Sequence, residues 1–313
     1  EPVCAHLGED VVGGRYNVGL WLWELPDFPD ALRGAFAPFH EIWTPSTFCA
    51  DALSAKSPVP VRRVPLPVHV PPVAKVEAAG RAARRRLELD DDVFVALYLF
   101  NYLSVFERKN PLAAVEAFRR AFGTDASKRL ILKTSQADYA PPAHARLLEA
   151  ARDLPNVTIL DAYLDREEIE GLLAACDVYL SLHRSEGYGL TVAEAMARGK
   201  VAVATPWSGV ADFVDVNNGR PVRFALERLE TDVGPYPAGS RWADPDVDDA
   251  ARALRELATD VELRRQLGER ARHDIEAHLS SDAVGRLLRQ RVDEIVRRTR
   301  RPRPPGPDLE PGR

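Results

Sequence analysis

The chain has 313 residues, 45% of them hydrophobic and 28% charged, and a formal net charge of −5. This length suits one large or two small globular domains, and the acidic balance argues against a general nucleic-acid binder. No apolar run reaches the roughly 20 residues that a membrane-spanning helix needs, and no signal peptide is recognisable.

The cysteines Cys4, Cys49 and Cys176 show neither metal nor disulfide spacing, so reduced thiols and a cytoplasmic location are expected. Peripheral contact with the inner face of the membrane is compatible with this. The chain opens at Glu1 rather than Met, and the expectation is a first portion cut short.

In chain order, YNVGLWLWEL is apolar on both faces, as a buried parallel strand is. DALRGAFAPF reads as a helix and EIWTPS as a strand, and Ser46 can cap a helix running through Ala52. VRRVPLPV is a further strand. HVPPVAKVEAAG is proline-rich without periodicity and reads as a linker over 71–80, closing a partial N-terminal domain of residues 1–70.

Beyond it, DVFVALYLF, RLILKTS, VTILDAY, DVYLSLH and KVAVATP read as strands. They alternate with the helices ERKNPLAAVEAFRRAF (Pro111 in its first turn), PAHARLLEAARDL, DREEIEGLLAAC and LTVAEAMARG, and Ser208 opens a short helix. Such alternation predicts an α/β fold with a doubly wound parallel sheet. Three helices follow, completing a second domain of residues 81–278 and a closing helix over 279–300. The tail 301–313 is too rich in Pro and Arg to pack, and disorder is expected.

One stretch concentrates chemistry. In LSLHRSEGYGLTVAEAMARGK a strand stops at Leu182, a glycine-rich turn follows, and a helix begins near Leu190. Gly187 and Gly189 let the backbone approach a ligand, and the helix start offers free N–H groups to phosphate. Two carboxylates, Glu186 and Glu194, crowd the same place. Glu194 has a structural alternative: it completes a capping box with Thr191 and precedes Arg198 by four residues. Glu186 precedes two glycines, so its side chain is expected to face an open site. Amides suit phosphate and ionised carboxylates suit hydroxyls, which together describe a nucleotide sugar, with Glu186 on the sugar and Glu194 on the ribose. His183, three residues before Glu186, either touches this ligand or is satisfied by backbone. Trp23 and Glu24 close the first strand toward the cleft, although core packing explains Trp21 and Trp23 equally well.

Glu186-x7-Glu194 in its strand–turn–helix setting resembles the Glu-x7-Glu motif of retaining GT-B glycosyltransferases of the GT4 type. FERKNPLAAVEAF resembles that family's Arg-Lys motif, and DDAARALRELATDVELRRQLGERAR its closing helices. GRYNVGLWLWELPDFPDAL and EIWTPSTFCADAL resemble the last strands of its N-terminal domain. The resemblance extends over nearly the whole chain and implies a GT-B-like fold, with the N-terminal Rossmann-like domain partial.

The resemblance further implies that Lys109, with Arg108 beside it, grips the donor diphosphate, and that Tyr188, Gly189 and Leu190 supply backbone contacts. Glu186 and Lys109 are the catalytic candidates. Arg108, Lys109, His183, Glu186, Gly187, Tyr188, Gly189, Leu190 and Glu194 form the expected donor site. Tyr163 and Leu164 fall near the base, and Ser208 and Gly209 at a tight turn before Asp212. The family's earlier arginine is missing from FNYLSVFE, which leaves Arg108 or Ser104 to compensate.

The implied reaction moves a hexosyl group from a nucleotide-diphosphate sugar to a saccharide, lipid-linked saccharide, protein or small-molecule acceptor, with retention. No cofactor and no metal are implied, and Asp90 to Asp92 read as a solvated turn. The alternatives are a nucleotide-sugar-binding fragment without turnover and a GT-B sugar-nucleotide epimerase.

Overall fold

The computed structural model describes residues 12–300. The expectations for Cys4 and for the tail 301–313 therefore lie outside the described residues.

Three short parallel strands come first: β1 (Val18–Leu20), β2 (Glu41–Thr44) and β3 (Val61–Arg63), in the order β1-β2-β3. The strand expected through Glu24 stops at Leu20, and DALRGAF forms a 3-10 helix over Asp30–Phe36. Ser46 caps α1 (Thr47–Ser54) by accepting from the Cys49 amide at 3.2 Å.

Most of the segment 71–80, expected to be aperiodic, is helical. Residues from Val73 to Arg86 form α2, directly after Pro71 and Pro72. Prolines suit a helix start, and the alanines that follow are strong helix formers. Gly80, where the sequence reading stopped, lies inside this helix. A Cβ there would meet the Ala174 carbonyl oxygen at 2.8 Å, so the glycine permits α2 to press onto α6, the helix Arg166–Ala175.

The main sheet has six parallel strands: β4 (Phe94–Leu99), β5 (Lys128–Thr134), β6 (Val157–Asp161), β7 (Val178–Ser181), β8 (Val201–Ala204) and β9 (Gly219–Pro221). Every residue of β4, β7 and β8 is buried, so hydrophobic runs without alternation mark these strands. The spatial order is β6-β5-β4-β7-β8-β9. Sequence-adjacent strands neighbour one another on each side, and the order reverses between β4 and β7. Ligands of open α/β sheets bind at such a reversal, outside the carboxyl ends of the strands.

The helix expected over ERKNPLAAVEAFRRAF is two: α3 (Phe106–Lys109) and α4 (Pro111–Phe122). Asn110 between them is left-handed at φ +51°. A residue before proline is pushed out of the right-handed helical region, and asparagine tolerates the left-handed one. The sequence reading assigned nothing between Phe213 and Ala243. There the chain forms β9 and an antiparallel hairpin of β10 (Phe224–Arg228) and β11 (Arg241–Pro245).

The last helices are α8 (Val247–Thr259), α9 (Val261–Leu279) and α10 (Ser281–Arg300). Helix α10 returns to the N-terminal strands, where Arg291 Nε binds the fully buried Glu41 at 3.0 Å. Among the described residues no helix is long and apolar enough to cross a membrane, and no group of three or more His, Cys, Asp or Glu could hold a metal ion.

Candidate active site

The strand reversal brings together two segments 77 residues apart. Arg108 and Lys109 follow β4 on α3; Glu186 follows β7. The Lys109 ammonium binds Glu186 Oε1 directly, and Arg108 Nη1 lies 3.3 Å from Glu186 Oε2. Burial works to raise the Glu186 pKa, but the two cations outweigh it and hold the carboxyl at about 2. Glu186 is therefore ionised at any physiological pH. Its side chain and that of Lys109 each keep 15% exposure, so the pair is reachable from solvent.

Neither cation is a loosely solvated residue of a helical first turn. Arg108 is 5% exposed and donates to the carbonyls of Ser185 at 2.8 Å and Ser104 at 2.9 Å. The Lys109 carbonyl accepts from Tyr98 Oη at 2.6 Å. Asn110 Nδ2 donates to the Leu182 carbonyl at 3.0 Å, which ties the end of β4's loop to the end of β7. Tyr98 and Asn110 are positioning residues that sequence reasoning did not single out. Asn before Pro inside an apparent helix was the available signal.

The glycine turn is held from behind. Ser208 Oγ accepts from the Glu186 amide at 2.8 Å, and the Gly209 amide donates to the Glu186 carbonyl at 2.8 Å. A Cβ on Gly209 would lie 2.5 Å from the Gly187 carbonyl oxygen, so residue 209 must be glycine for the two turns to stack. Asp212 is spent on the N-terminal strands, accepting from the Thr47 amide at 2.8 Å and pairing with Arg63 at 2.9 Å. The cap of α1 also reaches the turn, since Ser46 Oγ donates to the Gly187 carbonyl at 2.7 Å.

The other expected residues fall as follows. Gly187 packs under Leu22 and Cys49, while Leu190 is exposed at the first position of α7 (Leu190–Met196). Tyr188 is buried, with its hydroxyl on the Leu66 carbonyl at 2.8 Å, which leaves only its backbone for a ligand. His183 is fully buried against Ser181 Oγ at 3.0 Å; burial lowers its pKa to about 4, so the ring is neutral. Tyr163 is exposed beyond the end of β6.

Glu194 does not form the capping box considered for it: the N-cap of α7 is Gly189, with no side-chain cap bond. Nor does its carboxylate pair with Arg198, whose guanidinium binds Glu170 instead. Glu194 lies 3.4 Å from Arg166 and is 13% exposed at the side chain. Burial outweighs that cation and raises its pKa.

The model of the family described as glycosyl transferases group 1 matches residues 97–274, more than half of the chain. A search of the curated proteins by sequence returns no match. Among solved structures, the chain is similar to a glycosyltransferase from Rickettsia africae, with a TM-score of 0.69, 16% identity, and coverage of 89% of this chain and 70% of that one. It is similar to Anabaena HepE, solved with UDP and glucose, with a TM-score of 0.68, 15% identity, and coverage of 90% and 72%. A TarM variant from S. aureus, solved with fondaparinux, alpha-GlcNAc-glycerol and UDP, gives a TM-score of 0.65, 13% identity, and coverage of 90% and 51%. The chain thus spans about half of TarM and about seven tenths of the other two. At these identities the likeness shows the GT-B fold, and with the family match over the very strands whose reversal builds the Lys109–Glu186 site, the chain belongs to the glycosyl transferases group 1 family.

Proposed function

We propose that this chain is of the GT4 type and transfers a hexosyl group from a nucleotide-diphosphate sugar to an acceptor with retention at the anomeric carbon. The observation that carries this reading is the joining of Lys109 and Arg108 to Glu186 at the strand reversal. A diphosphate carries more charge than one carboxylate and competes for both cations, since ammonium and guanidinium groups both suit phosphate. Glu186, released from them, offers acceptor-only oxygens to the sugar hydroxyls. The leaving nucleoside diphosphate gains negative charge as the glycosidic bond breaks, and cations already held in place stabilise it. The attacking hydroxyl passes its proton to the departing phosphate oxygen on the same face, so Glu186 orients and is not a nucleophile. HepE and TarM, both solved with UDP, make uridine sugars the first donors to try.

Thermal shifts with UDP-, GDP- and ADP-glucose test this. A ligand at 100 times its Kd adds about 2.7 kcal/mol, or roughly 5 °C for a chain of this size. One donor should raise the parent's Tm by that amount, and by more than its bare nucleotide does. Glu186→Ala should bind sugar nucleotide and bare nucleotide alike, and Lys109→Ala should respond to neither. Equal discrimination by Glu186→Ala and the parent would overturn the assignment.

A further inference from the structure

The Glu186 site has a second wall. Glu24, in the loop after β1, is half-buried, and its carbonyl accepts from Ser185 Oγ, one residue from Glu186. Next to it, Cys49 Sγ lies 2.9 Å from the Trp23 carbonyl and 3.1 Å from the Gly187 carbonyl. The backbone of Glu24 is thus fixed to the glycine turn by contacts independent of its side chain.

From the other side, the loop between β10 and β11 carries Tyr236, which is 3% exposed. Its ring meets Trp23 edge-on at 6.5 Å, and its hydroxyl donates to Glu24 Oε2 at 3.4 Å. Leu25, Leu229, Tyr236 and Trp242 form a small apolar cluster, with Trp23 and Trp207 packed against it. Arg108 is the charge shared by both walls. Burial works against its ionisation, and Glu186, Tyr236 and Glu24 together outweigh that and push its pKa up.

A donor–acceptor distance of 3.4 Å is long for an O–H···O bond. Among the described residues no other hydrogen bond or ion pair reaches the Glu24 carboxylate. An ionised carboxylate has about four acceptor positions, so most of those on Glu24 are unused.

We propose that Glu24 receives the attacking hydroxyl of the acceptor, with Tyr236 as its positioning residue. This rests on the donor reading above: with diphosphate on Lys109 and Arg108 and sugar on Glu186, the anomeric carbon lies between Glu186 and Glu24. The new C–O bond forms there, the bond to phosphate breaks, and the hydroxyl proton passes to the phosphate oxygen. Because the attacking O–H proton goes to phosphate, Glu24 holds the acceptor in line by accepting from a second O–H, that of a neighbouring sugar hydroxyl or the other O–H of water. A carboxylate held by Tyr236, from the cluster that Trp23 and Trp207 pack against, suits an acceptor with an apolar face and several hydroxyls, which is the chemistry of a saccharide.

The test is nucleotide release from the full chain, using the donor that gives the largest thermal shift, in water alone and with glucose, N-acetylglucosamine, maltose or lactose. Water is the simplest hydroxyl acceptor. Glu24→Gln keeps the size of the side chain and a partner for Tyr236 but loses the charge. It should lower the rate of release by roughly 10- to 100-fold, the worth of one hydrogen bond to a charged group, and by a larger factor than it changes donor Kd, since its loss reaches the donor only through Arg108. Tyr236→Phe should raise KM for the accelerating sugar more than it lowers kcat. Unchanged release by Glu24→Gln at unchanged donor Kd would overturn the proposal and leave the donor reading standing. A parent that binds donor yet releases nothing under any of the five conditions would also overturn it. A parent that binds no donor would strike the donor reading instead, and this proposal with it.

Discussion

At Gly189 φ is +91°, and an added Cβ would lie 2.4 Å from Val210 Cγ2. Both the dihedral and the clash forbid a side chain, so Gly189→Ala should cost at least about 2 kcal/mol in urea denaturation. The same residue scale governs pH. Glu186 is held at about 2 in the fold, below an unfolded value of about 4.3. A depressed carboxylate stabilises above its unfolded pKa and loses that contribution as pH falls through the folded one. The stability gap between the parent and Glu186→Gln should therefore be full at pH 6 and shrink steadily from about pH 4.5 toward 2, read as urea midpoints across that range. A gap independent of pH would mean that the two cations do not hold the carboxylate.

Among the elements, α2 sets two forces against each other. Helix propensity favours Gly80→Ala by about 1 kcal/mol. Contact at 2.8 Å with a backbone oxygen of α6 opposes it, because overpacking against a rigid partner costs typically 1–3 kcal/mol. The expected outcome is a lower Tm for Gly80→Ala, and a higher one would show that α2 and α6 can separate. Elements were legible where local signals agreed, as in β4 and β7, which are apolar but for Ser181. The break at Asn110 was legible too, but only to a reading that gave the Asn-Pro pair more weight than the apolar period. The β10–β11 hairpin was not. Its strands are mostly solvent-exposed apart from Trp242, Ala243 and Pro245, so they carry no apolar run, and what orders them is contact with Trp23 and Val105 from elsewhere in the chain.

Over the whole molecule, α10 closes the structure. Arg291 is the main partner of Glu41, whose pKa burial works to raise and whose hydrogen bonds from Arg291, Trp43 and Tyr16 hold it at about 2. Removing one member of a buried pair leaves an uncompensated charge. Arg291→Ala should cost about 3 kcal/mol, and adding Glu41→Gln should cost less than the sum of the two single changes, as urea denaturation of the cycle would show.

The glycine turn, the two carboxylates around it and the succession of strands and helices are written locally, because backbone freedom, side-chain charge and apolar period belong to a few neighbouring residues. The meeting of Lys109 with Glu186, the spending of Arg108 and Asp212 on partners, and the approach of Tyr236 to Glu24 depend on which strands lie side by side. That is settled by burial and packing over the entire sheet, where residues far apart in the chain become neighbours once the order of strands reverses.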